Sequence, residues 1–488
     1  MRAEFFPKEL YCRNFRSLNE VRVPLRRPDG RKGSGLNLFI GENGSGKTSA
    51  IQLLSLAFQS FSAASRIRPT DFFNLEEKIA AELEFDRFKA RSGSPFLSKA
   101  HFECTGIEFT AESRDRKQPN RLISEPFAAR THFIVDEDAY REPDGTPILA
   151  KGEYKKFDAR DKSFDPARVF EGTLPVCFLL ERSRARHIGR GQFATTLDRI
   201  TNEISWRFRK QIKDVEQEDD YQKVHAAFTD QTIKSIPKEF GPELTDALAQ
   251  LLEFPVSLNP LSYSSPFDNL HFATTSDNAA ERLPVEMLGS GVEMIIALQL
   301  QCYLAEHAKE PLILLIDEPE MHLHPRLQTK LAKFFFEKSA NHQIILTSHS
   351  PYIVRDVGSD ASVVQFALKE GKSEVTPMSG LKTKLRHGLT VNEVNFLVFG
   401  MPSVEYLDEL WGSAMLQFEA ERVRQLDEVL VKNGLSYREN WRRSDGNDYA
   451  VTLPHFVRNS VHHPENKHNR PINDQDVYSA IEGLRSVL

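Results

Sequence analysis

Lys47 and Thr48 close the segment Gly41-Glu42-Asn43-Gly44-Ser45-Gly46-Lys47-Thr48, and Asp317 and Glu318 end the apolar run Leu312 to Ile316. Glycines at 41, 44 and 46 let a chain wrap so that successive backbone N–H groups converge on phosphate oxygens. Lys47 has the reach for β- and γ-phosphates, Thr48 carries a hydroxyl suited to Mg2+, and Asn43, Gly44, Ser45 and Gly46 complete the predicted nucleotide contacts. Asp317 offers oxygen donors to the same metal ion, directly or through water, and Glu318 is placed to polarise an attacking water. The chemistry these residues predict is binding and hydrolysis of ATP with Mg2+ as cofactor.

Elements of a particular kind must hold such groups. Leu36 to Ile40 reads as a short buried strand leading into the glycines, and the loop then opens a helix whose N-terminal partial positive charge favours anions. The run before Asp317 suits a parallel strand covered on both faces, with the aspartate at the carboxyl end where α/β sheets place ligands. Leu288-Gly289-Ser290-Gly291-Val292-Glu293 precedes a long apolar stretch. A glycine-serine turn opening a helix is a second anion site through Ser290 and Gly291, or a plain helix cap. Gln343 to Thr347 is another apolar strand ending in Ser348-His349-Ser350-Pro351. His349 beside a phosphate site would sense the γ-phosphate, whereas standing alone it would be structural.

In this order, the motifs resemble the ATP-binding-cassette ATPases, specifically the RecF, SMC and OLD branch, over roughly residues 8–60 and 280–360. The resemblance implies an α/β ATPase head and a head-to-head dimer with two ATP molecules between the subunits. Lys47, Thr48, Asp317 and Glu318 would form one subunit's site, with Ser290 and Gly291 completing the site of the second and His349 as the switch histidine. Tyr11 to Leu18 looks like the first strand of that branch, and Pro319-Glu320-Met321-His322-Leu323-His324-Pro325 follows its pattern after the catalytic glutamate. One feature departs: residues 55–110 hold no glutamine loop, and Asp71 and Glu84 stand in that region instead, leaving a further Mg2+ ligand unassigned.

The 488 residues, 40% hydrophobic, suffice for two or three domains with cores of their own. No apolar run approaches the roughly 20 residues that span a bilayer, and the N-terminus lacks an export signal, so a cytoplasmic protein without membrane partners is expected. Cys12, Cys104, Cys177 and Cys302 are isolated from one another, which suggests neither a disulfide framework nor a zinc site. A formal charge of −6 argues against coating nucleic acid through overall charge, although a local stretch such as Glu181 to His187 would suit phosphates or a solvated loop.

The expected organisation is an α/β, ABC-type head of mixed sheet and helices, with a β-rich and helical insertion and a mainly helical C-terminal domain. Residues 1–75 form the N-terminal lobe, 76–190 a β-rich insertion extending the sheet, and 191–280 a helical arm. Residues 281–380 form the C-terminal lobe and 381–488 an effector or partner-binding domain. Segments such as Ala80 to Phe85 and Phe102 to Phe109 alternate as antiparallel strands do. Leu197, Ile200, Ile204 and Phe208 are spaced as on a helix too short to be an SMC-type coiled coil.

Near the end stands Phe456-Val457-Arg458-Asn459-Ser460-Val461-His462-His463. Arg458, Asn459 and His463 resemble the arginine-to-histidine motif of HEPN-type ribonucleases, in which His assists attack by a ribose 2′-hydroxyl and Arg stabilises phosphate charge. The same residues would serve equally as helix caps or as a partner site. A toprim nuclease is not expected: Asp474-Gln475-Asp476 reads as an acidic helix start. Three functions follow. The first is a sensor ATPase of a bacterial anti-phage, abortive-infection system, resembling the ATPase subunits of Septu and PARIS-type systems and controlling a nuclease partner encoded nearby. The second is an ATPase fused to its own HEPN-like ribonuclease, similar to anticodon nucleases of the PrrC and RloC type. The third is a RecF-type DNA-repair ATPase, for which nucleic acid would be the partner and which the sparse basic surface disfavours.

Overall fold

A computed structural model describes residues 5–60, 65–89, 96–104, 127–134, 175–180, 242–252, 255–260, 270–274, 290–308, 311–321, 323–378 and 381–488. The contacts divide into two units, one of residues 1–350 and 360–377, the other of 351–359 and 378–488.

In the first unit, β1 (Glu9–Arg13) and β2 (Val21–Pro24) precede β3 (Leu36–Gly41), which is buried along its whole length. Helix α1 (Lys47–Gln59) follows the glycine loop. The chain continues through β4 (Ser65–Ile67), β5 (Ile79–Lys89), β6 (Phe96–Cys104), β7 (Phe127–Ile134) and β8 (Val176–Leu180). Next come α2 (Pro242–Leu252), β9 (Val256–Pro260), β10 (Leu270–Thr274), α3 (Ser290–Ala308) and β11 (Leu312–Asp317). Helix α4 (Pro325–Lys338), β12 (Gln343–Thr347), β13 (Ser362–Lys369) and β14 (Lys372–Met378) complete the unit.

These strands sort into two six-stranded sheets, β14-β13-β3-β12-β11-β8 and β2-β1-β5-β6-β7-β4, with β9 and β10 as a separate pair. In the first sheet β13, β3, β12, β11 and β8 pair in parallel. The sequences Leu312–Asp317 and Gln343–Thr347 are continuous runs because central parallel strands are covered on both faces, and every residue of each is buried. The second sheet alternates instead: Ile79, Ala81, Leu83 and Phe85 of β5 point into the core while Ala80, Glu82 and Glu84 are only partly covered. Ile51, Leu54 and Ala57 of α1 join one core with Leu10 and Leu83 of this sheet and with Ile313, Ile345 and Val364 of the other.

Two expectations about the insertion need correction. Its described strands β5, β6 and β7 pair with one another and with β1 and β4, not with the nucleotide-fold sheet they were expected to extend. Conversely Val176–Leu180, expected within the insertion, is the edge strand of the parallel sheet beside β11, as its unbroken apolar run suits. The arm expected over 191–280 is helical in Pro242–Leu252 but not throughout, because Val256–Pro260 and Leu270–Thr274 pair as antiparallel strands; the stretch from Leu197 to Phe208 lies outside the described residues. Among the described residues no helix is long and apolar enough to cross a membrane.

The second unit contains α5 (Pro351–Val357), α6 (Val391–Phe399), α7 (Val404–Gln417), α8 (Val423–Lys432), the hairpin β15 (Tyr437–Arg442) and β16 (Asp448–Thr452), α9 (Leu453–His462) and α10 (Asp474–Val487). Caps define the helix starts: the hydroxyls of Thr390 and Ser403 accept from the N–H groups of Glu393 and Tyr406. Asn473 and Asp476 form a reciprocal capping box, and Arg470 holds Asp476, so the acidic pair at 474–476 is a helix start as expected. Leu407, Leu410, Trp411, Leu426, Val457, Ile481 and Leu484 form the core.

Within that core Glu393 is fully buried and satisfied by four groups: the Tyr406 hydroxyl at 2.9 Å, Nη1 of Arg485 at 2.9 Å, the Lys384 N–H at 3.1 Å and the Thr383 hydroxyl. Removing the cation would strand a buried carboxylate. Arg485→Ala is therefore expected to destabilise this unit by roughly 3 kcal/mol. Urea titration, followed through the fluorescence of the buried Trp411 and Trp441, checks it, and an unshifted midpoint would refute it.

Candidate functional site

The glycine loop begins where β3 ends, and two of its residues permit no side chain. Gly41 has φ 138°, and a Cβ there would stand 2.0 Å from the carbonyl oxygen of Phe366 on β13. Gly46, the N-cap of α1 at φ 103°, would press a Cβ to 2.3 Å from the Ser373 hydroxyl. Any other residue at 46 would also be strained at that φ. Asn43 and Gly44 are exposed at the rim while Ser45, Gly46 and Lys47 are buried. The Ser45 hydroxyl, within the glycine loop, is buried with no protein hydrogen-bond partner. Lys47 Nζ lies on the carbonyls of Gly41 (2.9 Å) and Glu42 (2.6 Å). Burial pushes its pKa below the ordinary range, and the carboxylates of Glu318, Asp317, Glu320 and Glu42 act in the opposite sense.

Across the sheet, Thr48 Oγ1 donates to Asp317 at 2.9 Å from Oδ1 and 3.2 Å from Oδ2. The two fragments singled out in the sequence thus meet side chain to side chain. Thr48 and Asp317 together are hard oxygen donors of the kind Mg2+ takes alongside phosphate and water. They fit that ion.

Sequence reasoning missed the residue that holds the Asp317 carboxylate and the Glu318 backbone together. Thr347, the last residue of β12, donates from Oγ1 to Asp317 Oδ1 at 2.7 Å and accepts from the Glu318 N–H at 3.0 Å. Its signal was present, since a threonine ends an otherwise apolar strand immediately before Ser348-His349. Glu318 adopts φ 48°, a left-handed conformation that costs a non-glycine residue on the order of 1 kcal/mol and that aims this side chain out of the strand's path. His349 Nε2 stands 3.9 Å from Glu318 Oε1. Glu320 also belongs to this wall: its carboxylate accepts from the His349 N–H, and burial raises its pKa against that hydrogen bond. Gln328 on α4 pins the intervening loop by donating to the Leu323 carbonyl at 2.8 Å and accepting from the Ser350 hydroxyl at 2.6 Å.

The structure brings Lys47, Thr48, Asp317, Glu318 and His349 into one region. Ser290 and Gly291 instead open helix α3, with Gly291 buried. The two carboxylates singled out in the region of the unassigned Mg2+ ligand are engaged elsewhere. Asp71 lies in a short 3-10 turn, caps the Arg68 N–H at 2.9 Å and receives Arg16 at 2.7 Å; Glu84 faces Lys8 at 2.8 Å. Both carboxylates are committed to cations of the fold.

Arg458, Asn459 and His463 belong to the second unit, on α9 and its C-cap, where all three line a cavity of about 590 Å3. Arg458 lies 3.8 Å from Asp408 and 5.7 Å from the centre of the Trp411 ring; His463 Nδ1 lies 3.3 Å from Glu465.

Comparison with known proteins places this arrangement. An OLD nuclease of Thermus scotoductus (strain ATCC 700910 / SA-01) is 23% identical over 398 residues, covering 75% of this chain and 65% of that protein, so the chain spans just under two thirds of this relative's length. Among solved structures, an Smc head domain with an extended coiled coil bound to the C-terminal domain of ScpA, from Pyrococcus furiosus, superposes with a TM-score of 0.45 at 13% identity, over 77% of this chain and 96% of that one. An Smc head bound to the C-winged-helix domain of ScpA gives 0.45 at 14% identity, over 77% and 98%. The model of the AAA-domain family described as putative AbiEii toxin, Type IV TA system, matches residues 36–355, from the first residue of β3 to beyond His349, and the chain therefore belongs to this family of ATPases.

Proposed function

We propose that this ATPase is a nucleotide-driven switch that closes as a head-to-head dimer around ATP and controls a nuclease in a bacterial anti-phage system. The observation that carries the ATP site is the contact of Thr48 with Asp317 at 2.9 Å, which joins the phosphate cradle to the carboxylates of β11. Backbone N–H groups of residues 43–48 and the Lys47 ammonium would bind the β- and γ-phosphates. Glu318 would orient water for attack on the γ-phosphorus and accept its proton, while His349 would stand at the γ-phosphate side of Glu318. Thr48 and Asp317 would hold Mg2+, which when bound neutralises phosphate charge. Ser290 and Gly291 would serve the pocket of the second subunit, through the N-terminus of α3. The link to a nuclease and to defence is supported by the OLD nuclease relative and by the toxin description of the family.

A second reading places the nuclease in the chain itself, as a HEPN-like ribonuclease. The observation that favours it is that Arg458, Asn459 and His463 share one cavity wall. It is separated from the first by expression in cells: loss of toxicity in His463→Ala supports the fused ribonuclease, and toxicity that requires a neighbouring gene supports a separate effector.

Replacing Glu318 by Gln is expected to lower ATP turnover by about 100-fold or more while leaving ATP bound. Light scattering of the variant in saturating ATP should then report a dimer, and a monomer would contradict the closure. Lys47→Ala is expected to abolish binding of a fluorescent ATP analogue; retained tight binding would remove the cradle assignment. Ser290→Ala should reduce turnover without weakening ATP affinity in the monomer, and an affinity loss measured by titration would place Ser290 elsewhere.

A further inference from the structure

The cavity of the second unit has a composition that its fold does not explain. Its wall is made by the start of α8, the hairpin β15–β16, α9 and the segment after α9, and it gathers the guanidinium groups of Arg424, Arg443 and Arg458 with the imidazoles of His455, His463 and His468. Two carboxylates stand against them, and both are engaged. Asp445 accepts from the N–H and the side-chain amide of Asn447, at 3.0 and 3.1 Å, and Glu465 faces His463. Arg443 is exposed and makes no direct ion pair among the described residues, although, behind the Asn447 hydrogen bonds, its charge helps hold the Asp445 carboxyl below its usual range; its guanidinium lies 5.1 Å from the centre of the Tyr449 ring. Asn459 is 94% buried, yet its side-chain amide makes no hydrogen bond among the described residues and borders the cavity. An amide at the cavity wall whose donor and acceptor are both uncommitted is available to a ligand.

The walls are held in advance. Asn466 and Asn469 both donate to the Arg442 carbonyl, at 2.7 and 2.9 Å, and Asn469 accepts from the Arg442 N–H at 2.8 Å, tying the segment after α9 to the hairpin. Beneath, His455 stands with Nδ1 3.1 Å from the buried Asp427, which also accepts from the Thr452 hydroxyl. Trp411 and Tyr449 flank the His455 ring, at 5.7 and 6.1 Å between centres.

We propose that this cavity binds a nucleoside phosphate, either free or as one residue of a single strand. Guanidinium groups recognise phosphate oxygens; among the described residues Arg443 makes no ion pair, while Arg458 stands 3.8 Å from Asp408 and Arg424 3.8 Å from Glu428, long contacts that leave their other N–H donors to the cavity. About 590 Å3 is far more than a bare phosphate fills and is of the size that takes a small organic ligand. Aromatic edges from Trp441 and Tyr449 suit the nucleoside part, and the Asn459 amide offers a donor and an acceptor to it or to its sugar. The inference does not depend on the ribonuclease reading. A cavity that binds RNA and leaves it intact keeps the inference and removes that reading.

The test uses the full chain carrying Lys47→Ala, so that the ATP cradle does not compete, and follows the anisotropy of a fluorescein-labelled single-stranded RNA decamer, with AMP and inorganic phosphate as competitors. Saturable binding of the decamer is expected, weakened by about tenfold or more in Arg443→Ala, whose exposed side chain the fold does not need. Full competition by AMP identifies a free nucleotide as sufficient; binding of the decamer without competition by AMP identifies a strand. Either outcome supports the proposal. It is overturned if neither decamer nor AMP binds, if inorganic phosphate competes as well as AMP, or if Arg443→Ala and Arg424→Ala together leave affinity unchanged while circular dichroism confirms folding.

Discussion

Asp317 is the point at which three strands of the head are tied together. Its carboxylate receives the hydroxyl of Thr48, carried by β3 and α1, and the hydroxyl of Thr347, carried by β12. Strand β12 lies between β3 and β11, and Thr347 is in register with Asp317 on one side and Phe39 on the other. Side chains alternate faces along a strand, so a slip of one residue at either pairing would turn the Thr347 hydroxyl away and leave a buried carboxylate short of a donor. The register of the parallel sheet and the geometry of the phosphate end of the site are thus the same constraint.

The strain at Glu318 makes sense in that frame. Asp317 must stay in the strand to meet two hydroxyls, whereas Glu318 must leave it to face the pocket, and the left-handed turn at φ 48° accomplishes both between adjacent residues. The Glu318 N–H would lose its ladder partner in such a turn, and Thr347 Oγ1 supplies a replacement. Gln328 and Glu320 hold the outgoing loop and the His349 backbone, so the glutamate is positioned from both sides.

Most of the head was legible in the sequence because its determinants are local: a glycine pattern, an apolar strand and its terminal carboxylates lie within single short windows. Leu36–Gly41, Leu312–Asp317 and Gln343–Thr347 are strands as expected, and Lys47, Thr48 and Asp317 converge. What escaped depends on contacts between distant segments. The commitment of Asp71 to Arg16 is a pairing across 55 residues that no spacing rule encodes. Strand pairing is equally non-local. Alternation identified Ala80–Phe85 within β5 as an antiparallel strand, and of the segment Phe102–Phe109 the described residues 102–104 end β6, yet alternation carries nothing about which sheet such strands enter, and Val176–Leu180 sits between segments whose composition points elsewhere. Thr347 was overlooked for a different reason: one hydroxyl at the end of an apolar strand is unremarkable until the carboxylate opposite is known.

The second unit treats its ionised groups in two distinct ways, and the contrast separates architecture from ligand binding. Glu393 and Asp427 are almost wholly buried, and each is surrounded by donors dedicated to it: Arg485, Tyr406 and Thr383 for the first, the Thr452 hydroxyl and N–H for the second, with His455 Nδ1 at 3.1 Å beside it. Burial makes that completeness obligatory, since an unmatched charge there would cost several kcal/mol. Arg443 and Arg424 meet the Tyr449 ring, and Arg424 also pairs at 3.8 Å with Glu428 on its own helix. Exposed cations of this kind contribute little to stability. Their convergence with the uncommitted Asn459 amide on one wall has its physical reason in the ligand proposed for the cavity. The head has the same division of labour: Thr347 completes Asp317, while Ser45 of the glycine loop keeps a buried hydroxyl without a protein partner.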